Sequence, residues 1–502
     1  MAKICLCLTA KTLGRNLEIL DKYRKYTDMA ELRVDCLNPD ERLLIRRFPE
    51  LAGLPVILTI RRIIDGGFFS GGEGARVTLM ARGLAYADAN RRLNFAYVDI
   101  EDDLNVPSLE EAARTFGTRI IRSWHSFDGK TADIPAKIRG MKCIGDDLVK
   151  IAVKVNATSD VLRMLRAARE YQRKEKIFVC MGQLGAYSRI LAEQFGSYLS
   201  FAGAPDLVKG AAGQIDVEEL AELYRFRSIG KSTKIYGVMG NHPLAPEGIR
   251  FFNAVFKQED MDAVYAPFPV DSAADFMELA DELNISGLSI SGSYKEELIP
   301  FLIEPSSAVV SSGMCNTIFK SGEGWAGSNT EAQGFTDSVL EFTGRKNLRR
   351  AKISIIGAGG MAKLIAAELY RQEARVLILN RSAPKAREIA GRYKFAWSAL
   401  DSKGIEMINK YRDIIIQATP LGMEGRDSGD PLEMYGFSGR EAVMDLVWKP
   451  ERSRFLTRAA EAGCRVINGL DMLNRQARYQ YEQFTGNDFP PQLAARIQFG
   501  RS

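Results

Sequence analysis

The fold of the first half of the chain is decided by the stretch Leu148-Val-Lys-Ile-Ala-Val-Lys-Val155, which is followed by Asp160-Val-Leu-Arg-Met-Leu-Arg-Ala-Ala168. The first run is short, apolar and rich in β-branched residues, so it predicts a strand. The second has the apolar spacing of a helix. This pattern recurs throughout residues 1–225. The eight predicted strands are Lys3–Thr9, Ala30–Asp35, Pro55–Arg61, Phe95–Glu101, Arg119–His125, Leu148–Val155, Ile177–Gly182 and Tyr198–Gly203.

Eight strand-then-helix units favour a closed (β/α)8 barrel, or TIM barrel, over residues 1–225. The alternative is an open, doubly wound α/β sheet of eight strands. A doubly wound domain usually carries a glycine-rich turn after its first strand, and no such turn follows Thr9. The barrel is therefore the preferred interpretation.

Composition narrows the class of protein. A chain of 502 residues is too long for one ordinary core, so several domains are expected. The formal net charge of +5 is small for this length and gives no reason to expect a nucleic-acid partner. The sequence has no apolar run long enough to predict a membrane helix, and its first residues do not resemble a signal peptide. Scattered cysteines indicate a reduced, cytoplasmic protein without a metal site.

The second half begins a new α/β series after a polar segment, Arg225–Thr233, which we interpret as a linker. Strands are predicted at 234–240, 263–268, 287–292, 352–357, 375–380, 413–419, 442–447 and 465–469. The predicted organisation is a barrel at 1–225, a substrate-binding lobe at 233–334, a Rossmann-type lobe at 335–475, and a segment at 476–502 that returns to the substrate lobe.

Polar side chains stand in or at the ends of several predicted barrel strands. Glu31 and Arg33 lie two apart on one strand and so share a face, while Arg61, His125 and Lys150 lie at or near the ends of three others. Because the carboxyl ends of barrel strands line the active site, these side chains are candidates for chemistry.

Lys150 and His125 suggest what that chemistry is. Val149 and Ile151 can desolvate the lysine, which favours a neutral, nucleophilic amine able to form an imine with a ketone. An imine is an electron sink for removal of an adjacent proton, and His125 is the natural base. The alternative is that both residues have only structural roles, with Lys150 extending its amine to solvent and His125 capping the end of its strand. Arg33, Arg61 and Arg189 are candidates to hold a carboxylate and hydroxyls.

With these residues, the segment 1–225 resembles the type I 3-dehydroquinate dehydratases. The resemblance implies that Lys150 forms a Schiff base, that His125 takes the C2 proton and helps expel water, and that Arg189 and Gln214 bind substrate. It further implies that Glu31, Arg33 and Arg61 shape the pocket. The matching motifs are Glu31-Leu-Arg-Val-Asp35, Thr59-Ile-Arg61, Asp99-Ile-Glu101, Ser123-Trp-His125, Val149-Lys-Ile-Ala152, Gly185-Ala-Tyr-Ser-Arg189 and Gly213-Gln214.

Residues in three places depart from that family, and one of these places is the pair Trp124 and Ser126 that flanks His125. Asp65 stands where the family usually has glutamate, and Gly210-Ala-Ala-Gly-Gln214 stands where it has Ser-Ala-Pro-Gly-Gln. The change at Gly210 removes one serine hydroxyl. These departures bear on affinity and on closure of the site.

A glycine turn marks the candidate cofactor site of the second half. Gly357, Ala358, Gly359, Gly360, Met361 and Ala362 follow a predicted strand and open a predicted helix, which matches G-x-G-x-x-A in its dinucleotide-binding context. The next strand ends in Asn380, Arg381 and Ser382, where an NAD-binding fold usually has an acid. A cation and small polar groups there favour the 2′-phosphate, and therefore NADP.

The second half resembles shikimate dehydrogenase over residues 233–490. By this resemblance Lys295 is the catalytic lysine, Glu331 stands in place of its partner aspartate, and Asn316 and Gln476 contact the substrate. The motifs are Ser291-Gly-Ser-Tyr-Lys-Glu296, Cys315-Asn-Thr-Ile318, Gly327-Ser-Asn-Thr330, Ala418-Thr-Pro-Leu-Gly-Met423, Asp445-Leu-Val-Trp-Lys-Pro450 and Gly469-Leu-Asp-Met-Leu-Asn-Arg-Gln476.

The departures here leave the second activity open. The family's two carboxylate-binding serines map to Pro243 and Ala245, and its pocket tyrosine maps to Trp448. His242 or Tyr294 could hold the acid instead. The leading hypothesis is a two-step enzyme that dehydrates 3-dehydroquinate and reduces 3-dehydroshikimate with NADPH. The alternatives are a dehydratase with a weak or non-catalytic NADP-binding half, and an aldolase-type barrel fused to a generic dehydrogenase. A monomer or homodimer with small-molecule partners is expected.

Overall fold

A computed structural model of the chain describes residues 1–85, 89–129, 133–173, 175–241 and 246–500. The chain forms two compact units. One comprises Met1–Leu244 and Phe252–Ile285, and the other comprises Ala245–Phe251 and Ser286–Ser502. No helix in the described ranges is long and apolar enough to cross a membrane.

Eight parallel strands of the first unit form a nearly closed barrel. They are hydrogen-bonded in the order β7-β6-β5-β4-β3-β2-β1-β8, and the amide of Tyr198 donates across the remaining seam to the carbonyl of Lys176 at 2.7 Å. The predicted barrel is therefore confirmed, strand for strand. The strands are β1 (Lys3–Leu8), β2 (Met29–Arg33), β3 (Val56–Thr59), β4 (Tyr97–Glu101), β5 (Arg119–Ser126), β6 (Leu148–Lys154), β7 (Lys176–Met181) and β8 (Leu199–Ala202).

Helices alternate with these strands, as the sequence pattern predicts. Apolar side chains from the inner strand faces, among them Cys5, Ile57, Ile121 and Leu148, fill the barrel interior. This packed core fixes the strand ends above it. The helices are α1 (Leu13–Tyr23), α2 (Phe48–Ala52), α3 (Glu73–Leu84), α4 (Pro107–Thr115), α5 (Ile134–Gly140), α6 (Thr158–Glu170) and α7 (Tyr187–Ile190).

The segment Arg225–Thr233, predicted to be a polar linker, is packed instead. Phe226 and Ile229 are buried, and Arg227 pairs with Asp28. The sequence does not show this burial, because the polar residues Arg227 and Ser228 stand between the two apolar ones. The chain continues through β9 (Lys234–Gly240), α8 (Pro246–Gln258), β10 (Ala263–Pro269) and α9 (Ala273–Glu282), and β10 pairs with β9 in parallel.

The second unit contains a small mixed sheet and a parallel sheet. In the small sheet β13 is antiparallel to both β11 and β14, and β12 is parallel to β14. Strands β12, β13 and β14 are short and were not predicted. The elements are β11 (Ile285–Ile290), α10 (Tyr294–Glu297), β12 (Leu302–Pro305), α11 (Ser307–Ser312), β13 (Thr317–Ser321), β14 (Gly324–Ser328) and α12 (Thr330–Thr343).

The parallel sheet has the order β17-β16-β15-β18-β19-β20 and confirms the predicted Rossmann-type fold. Strand β17 was missed, and the predicted boundary between 475 and 476 falls inside α17. The elements are β15 (Lys352–Ile356), α13 (Gly360–Arg371), β16 (Arg375–Asn380), α14 (Ala383–Tyr393), β17 (Ala396–Ala399), α15 (Ser402–Ile408), β18 (Ile414–Gln417), β19 (Ala442–Asp445), α16 (Arg454–Glu461), β20 (Arg465–Ile467) and α17 (Leu470–Thr485).

Candidate active sites

The pairing of β5 with β6 places the candidate lysine and histidine on one side of the barrel wall. Lys150 pairs with Ser123, and His125 lies two residues beyond Ser123 on the same strand. Because alternate residues of a strand share a face, Lys150, Ser123 and His125 all point into the barrel.

Lys150 is buried beside an acidic residue. Its Nζ donates to a carboxylate oxygen of Asp99 at 2.8 Å and lies 3.9 Å from Glu31. The ring of Phe201 lies 4.4 Å from the same nitrogen. The expected apolar environment is therefore only part of the site, since the carboxylate of Asp99 lies in direct contact with this nitrogen.

Asp99 is the carboxylate on which this part of the site is built. Burial alone would raise its pKa, but Arg61 and Lys150 lie against it and lower that pKa well below the ordinary value. Arg61 donates to Asp99 at 2.8 Å, and Ser123 donates to its other oxygen at 2.5 Å. Asp99 therefore stays ionised and keeps a negative charge beside Lys150.

His125 is held in its neutral form. Burial lowers the pKa of its imidazole well below the ordinary value, and the cations of Arg61 and Lys150 lower it further. A neutral imidazole can accept a proton, which is the property a general base requires.

The three predicted arginines differ in their partners. Arg33 forms a bidentate ion pair with Asp35, and Arg61 is paired with Asp99 and Glu101. Within the described part of the chain Arg189 has no ion-pair partner, and its buried Nε makes no hydrogen bond. Burial lowers the pKa of Arg189 to about 10. Among these cations, Arg189 is the one that still needs an anion.

A cavity of about 320 Å³ opens between these side chains. At its edge Gln214 accepts a hydrogen bond from the amide of Gly210 at 2.8 Å, so its carboxamide oxygen is occupied. Glu31 accepts from Thr59 at 2.9 Å. The structure brings together around this cavity all seven side chains that the sequence indicated: Glu31, Arg33, Arg61, His125, Lys150, Arg189 and Gln214.

Some participants in this site had no predicted role. Asp99 is the direct partner of Lys150, and the alternation Asp99-Ile-Glu101 on one strand could have revealed it. Lys154, Lys209 and Phe127 also line the cavity. Lys209 lies in a loop, and Phe127 follows β5 directly, so neither carries a sequence signal of its own.

In the second unit, Lys295 and Glu331 form the predicted pair. Nζ of Lys295 lies 2.6 and 2.7 Å from the two carboxylate oxygens of Glu331. The side chains are 18% and 13% exposed, so the pair is reachable from solvent. The longer glutamate therefore makes a two-oxygen contact, and the ion pair is kept.

Asn316 is placed differently from a simple substrate ligand. It is almost fully buried, its oxygen accepts from the amide of Thr330 at 2.8 Å, and its nitrogen donates to the Thr330 hydroxyl at 3.0 Å. Asn316 therefore fixes the start of α12, on which Glu331 is the second residue. Gln476 is partly exposed on α17. Gln480, one turn further, had no predicted role, and it binds Ser289 and Thr317.

The glycine turn fits a dinucleotide. At Gly357, with φ of +120°, a side-chain carbon would lie 2.9 Å from Thr419 and 3.0 Å from the Ala418 carbonyl. At Gly359 and Gly360 a side-chain carbon would meet nothing within 4 Å, so the start of α13 is open. A backbone without side chains at the open N-terminus of a twelve-residue helix suits a pyrophosphate.

The end of β16 fits a second phosphate. Asn380 donates to the carbonyl of Ser382 at 3.1 Å, which shapes the turn, and Arg381 is exposed beside it. No group of three or more possible metal-binding side chains occurs in the described ranges.

Of the second-half positions discussed as departures from shikimate dehydrogenase or as their replacements, some are described by the structure and some are not. His242, Pro243 and Ala245 are outside the described residues. Trp448 packs edge-on against Phe499, with ring centroids 6.2 Å apart, and Gly500 lies against the same indole. The chain near its C-terminus therefore covers part of Trp448. Tyr294 is buried on α10.

Three family models match successive parts of the chain. The model described as type I 3-dehydroquinase matches residues 4–231. The shikimate dehydrogenase substrate binding domain matches residues 238–318, and shikimate / quinate 5-dehydrogenase matches residues 341–421.

Individual relatives cover either nearly the whole chain or about half of it. A chloroplastic bifunctional 3-dehydroquinate dehydratase/shikimate dehydrogenase of Arabidopsis thaliana is 27% identical over 98% of this chain and 84% of its own length. A shikimate dehydrogenase (NADP(+)) of Pyrococcus furiosus is 33% identical over 54% of this chain and 96% of its own. The solved dehydroquinate dehydratase and shikimate dehydrogenase from S. pombe AroM covers 99% of this chain and 98% of that one, at 21% identity and a TM-score of 0.45.

Proposed function

We propose a two-step enzyme from one premise: the chain belongs to the type I 3-dehydroquinase family over its first half and to the shikimate dehydrogenase family over its second. The barrel dehydrates 3-dehydroquinate to 3-dehydroshikimate, and the second half reduces that product to shikimate with NADPH. The observation that carries the first step is a cavity lined both by Lys150, paired with Asp99, and by Arg189, a buried guanidinium without an ion-pair partner in the described chain.

Lys150 begins the dehydration as a nucleophile. Its neutral amine attacks the substrate ketone, and the carbonyl oxygen leaves as water with one amine hydrogen and the proton that the ammonium had released, so that a protonated C=N bond replaces C=O. The resulting iminium keeps a positive charge on the nitrogen that Asp99 faces at 2.8 Å. Asp99 therefore stabilises the intermediate through the same contact that holds the free ammonium.

His125 then moves the proton. The neutral imidazole takes a proton from the carbon next to the iminium, the C–H electron pair forms a C=C bond, and the π electrons of the C=N bond move onto nitrogen to give an enamine. When the enamine expels the hydroxyl from the next carbon, the imidazolium returns the proton to it and water leaves. Hydrolysis of the remaining imine restores Lys150 and releases the product.

The other cavity residues bind and orient the substrate. Arg189 takes the carboxylate, because it is the cation whose charge the protein itself leaves unmatched. The carboxamide nitrogen of Gln214 donates to the substrate, since its oxygen is already bound by Gly210. Glu31, Arg33 and Arg61 form the polar wall against the hydroxyls.

Lys295 and Glu331 carry the second step. When bound, NADPH supplies a hydride to the substrate ketone. Lys295 donates a proton to the oxygen on which negative charge develops, and Glu331 orients that amine through both of its oxygens. Asn316 supports Glu331 through Thr330 and offers its second amide hydrogen to substrate, and Gln476 contributes a further contact from α17.

Two turns would hold the cofactor. The backbone from Gly357 to Ala362 would bind the pyrophosphate at the start of α13, and Asn380, Arg381 and Ser382 would bind the 2′-phosphate. This preference for NADP agrees with the name of the Pyrococcus furiosus relative, a shikimate dehydrogenase (NADP(+)).

The setting of the protein is also part of this proposal. All seven cysteines are unpaired, which is typical of a reduced compartment, and we place the chain in the cytoplasm. It acts on small molecules, without nucleic-acid or membrane partners, as a monomer or homodimer. Sedimentation velocity over a range of concentrations measures the oligomeric state.

Two assays on one preparation test the proposal. Borohydride added with 3-dehydroquinate should attach the substrate covalently to the peptide that contains Lys150, and no adduct there would exclude the imine mechanism. Oxidation of NADPH with 3-dehydroshikimate should be followed at 340 nm. If NADPH binds but is not oxidised, the second half is a binding module and not a reductase.

A further inference from the structure

The ring of Phe268, at the end of β10, packs against the barrel. It meets the ring of Tyr187 edge-on, with centroids 5.1 Å apart, and both rings are fully buried. Tyr187 is the first residue of α7, the short helix that carries Arg189. A residue from outside the barrel therefore touches the element that presents the unpaired arginine.

The position of Phe268 is closely confined on its other sides. The ring of Phe276 lies 5.4 Å away, and a side-chain carbon on Gly237 would come within 2.4 Å of the Phe268 ring. The ring therefore occupies a space that exists only because residue 237 is glycine. It cannot move away from Tyr187 without disturbing its own core.

The loop after Phe268 is fastened to the barrel as well. Asp271 accepts hydrogen bonds from the amide and the hydroxyl of Thr158, at 2.8 and 2.5 Å. Thr158 begins α6, and Ala157 at the N-cap has no side-chain oxygen of its own. Asp160 of the barrel accepts from the two amides before Thr158, so Asp271 adds the acceptor for the first amide of α6 and ties the loop after Phe268 to the barrel.

Arg189 depends on its helix more than its neighbours do. Arg33 and Arg61 are each fixed by carboxylates, whereas the guanidinium of Arg189 has two contacts of 3.5 Å with backbone carbonyls. Barrel strands also hold α7, through Ser188 and through the carbonyl of Arg189. The hydroxyl of Tyr187 has no hydrogen-bond partner in the described structure, so packing alone places that ring.

We infer that Phe268 is a positioning residue for the barrel reaction, acting on Arg189 through the ring of Tyr187. The inference rests on the proposed dehydratase function and adds to it that the barrel site is completed by a residue that follows the eight barrel strands within the same compact unit. Because a carboxylate is bound in both ground and transition states, misplacing Arg189 should raise KM and leave kcat nearly unchanged.

The test compares two phenylalanine variants of the full chain. Phe268→Leu removes the ring that contacts Tyr187, and Phe256→Leu removes an equally buried ring that packs against the rings of Tyr236 and Phe252. Both should lower the melting temperature by similar amounts. Phe268→Leu alone should raise KM for 3-dehydroquinate about five- to tenfold, with kcat within about twofold. Equal KM values in the two variants would overturn the inference.

A second measurement separates positioning from general loosening. In an Arg189→Lys background, which lacks the guanidinium, Phe268→Leu should have no further effect on KM. A full additional increase would show that Phe268 does not act through Arg189 and would also overturn the inference. If the unmodified chain turns over no 3-dehydroquinate, the proposed function fails first and the inference falls with it.

Discussion

Both carboxylate oxygens of Glu331 lie within hydrogen-bond distance of the Lys295 amine, at 2.6 and 2.7 Å. The contact shows how a glutamate can serve where related proteins have aspartate: the extra methylene lets the carboxylate meet the lysine with both oxygens. Two substitutions at this position make the point testable, because one changes charge and the other changes length.

Glu331→Gln keeps the length of the side chain and removes its charge, and Glu331→Asp keeps the charge and withdraws it by about 1 Å. A displacement of that size is enough for a loss of about 100-fold, so both variants should lose reductase kcat. Steady-state oxidation of NADPH measures this. The dehydratase rate of the same preparation is the internal control and should not change. An active Glu331→Asp would show that the longer side chain is not required.

Asp99→Asn should impair both stability and dehydration. The substitution leaves Lys150 and Arg61 buried without a shared carboxylate, and breaking a buried pair costs about 3–5 kcal/mol. Chemical denaturation measures the stability. The borohydride adduct at Lys150 should form more slowly, because the carboxylate within hydrogen-bond distance of the iminium nitrogen is then lost. Normal trapping kinetics in a destabilised variant would limit Asp99 to a structural role.

The lowered pKa of His125 predicts a particular pH dependence. Below pH 6.5 the unfolded imidazole gains a proton that the folded one does not, so the free energy of unfolding should fall as pH falls through this range. His125→Gln should lack that part of the slope, which thermal unfolding at several pH values would show. The acid limb of dehydratase kcat should also lie below pH 6.5. An acid limb above that value would contradict a buried, neutral base.

Gly210→Ser restores a hydroxyl that related dehydratases carry. A side-chain carbon there would lie 3.3 Å from Arg33 and 3.7 Å from Gln214, so it is tight but the backbone is not in the left-handed region. One added hydrogen bond of about 1 kcal/mol should lower KM by about three- to tenfold. Gly210→Ala is the matched control, since it adds the carbon without the hydroxyl. Equal KM values in the two variants would assign any change to packing.

Arg381→Ala should separate the two nicotinamide cofactors. Loss of a charge-assisted bond worth about 1.5–3 kcal/mol raises KM for NADPH by about ten- to 150-fold. KM for NADH, which has no 2′-phosphate, should stay the same. Arg371, at the opposite end of α13, provides the control: Arg371→Ala should affect neither cofactor. Parallel losses with both cofactors would place Arg381 away from the 2′-phosphate.

The sequence predicts the barrel well because strand and helix alternate with a clear change of period, and all eight predicted runs contain strands in the structure. It misses β12 to β14 and β17, since four- or five-residue strands with mixed polarity have no distinct period. It also mistakes the Phe226 segment for a linker, because two apolar residues buried by distant partners resemble a polar loop.

The site was predictable to the extent that its residues lie on strands. Glu31, Arg33, Arg61, His125 and Lys150 converge because parallel strands end on one face of a barrel. Their pairing was not predictable. Arg61 is paired with carboxylates, whereas Arg189 has no ion-pair partner in the described part of the chain. This difference depends on which carboxylates lie nearby in the folded protein, and the spacing of residues in the sequence does not show it.

The cap that Asp271 places on α6 has a consequence for how this protein is made. The eight strands have all been synthesised by Ala202, yet Asp271, which accepts from the first amide of α6, is translated only later. On the ribosome, therefore, the barrel gains this contact only after the segment that follows its eight strands has been made. A gene split at the apparent boundary near residue 230 would deprive the first product of this cap, whereas a split beyond Glu282 would retain it.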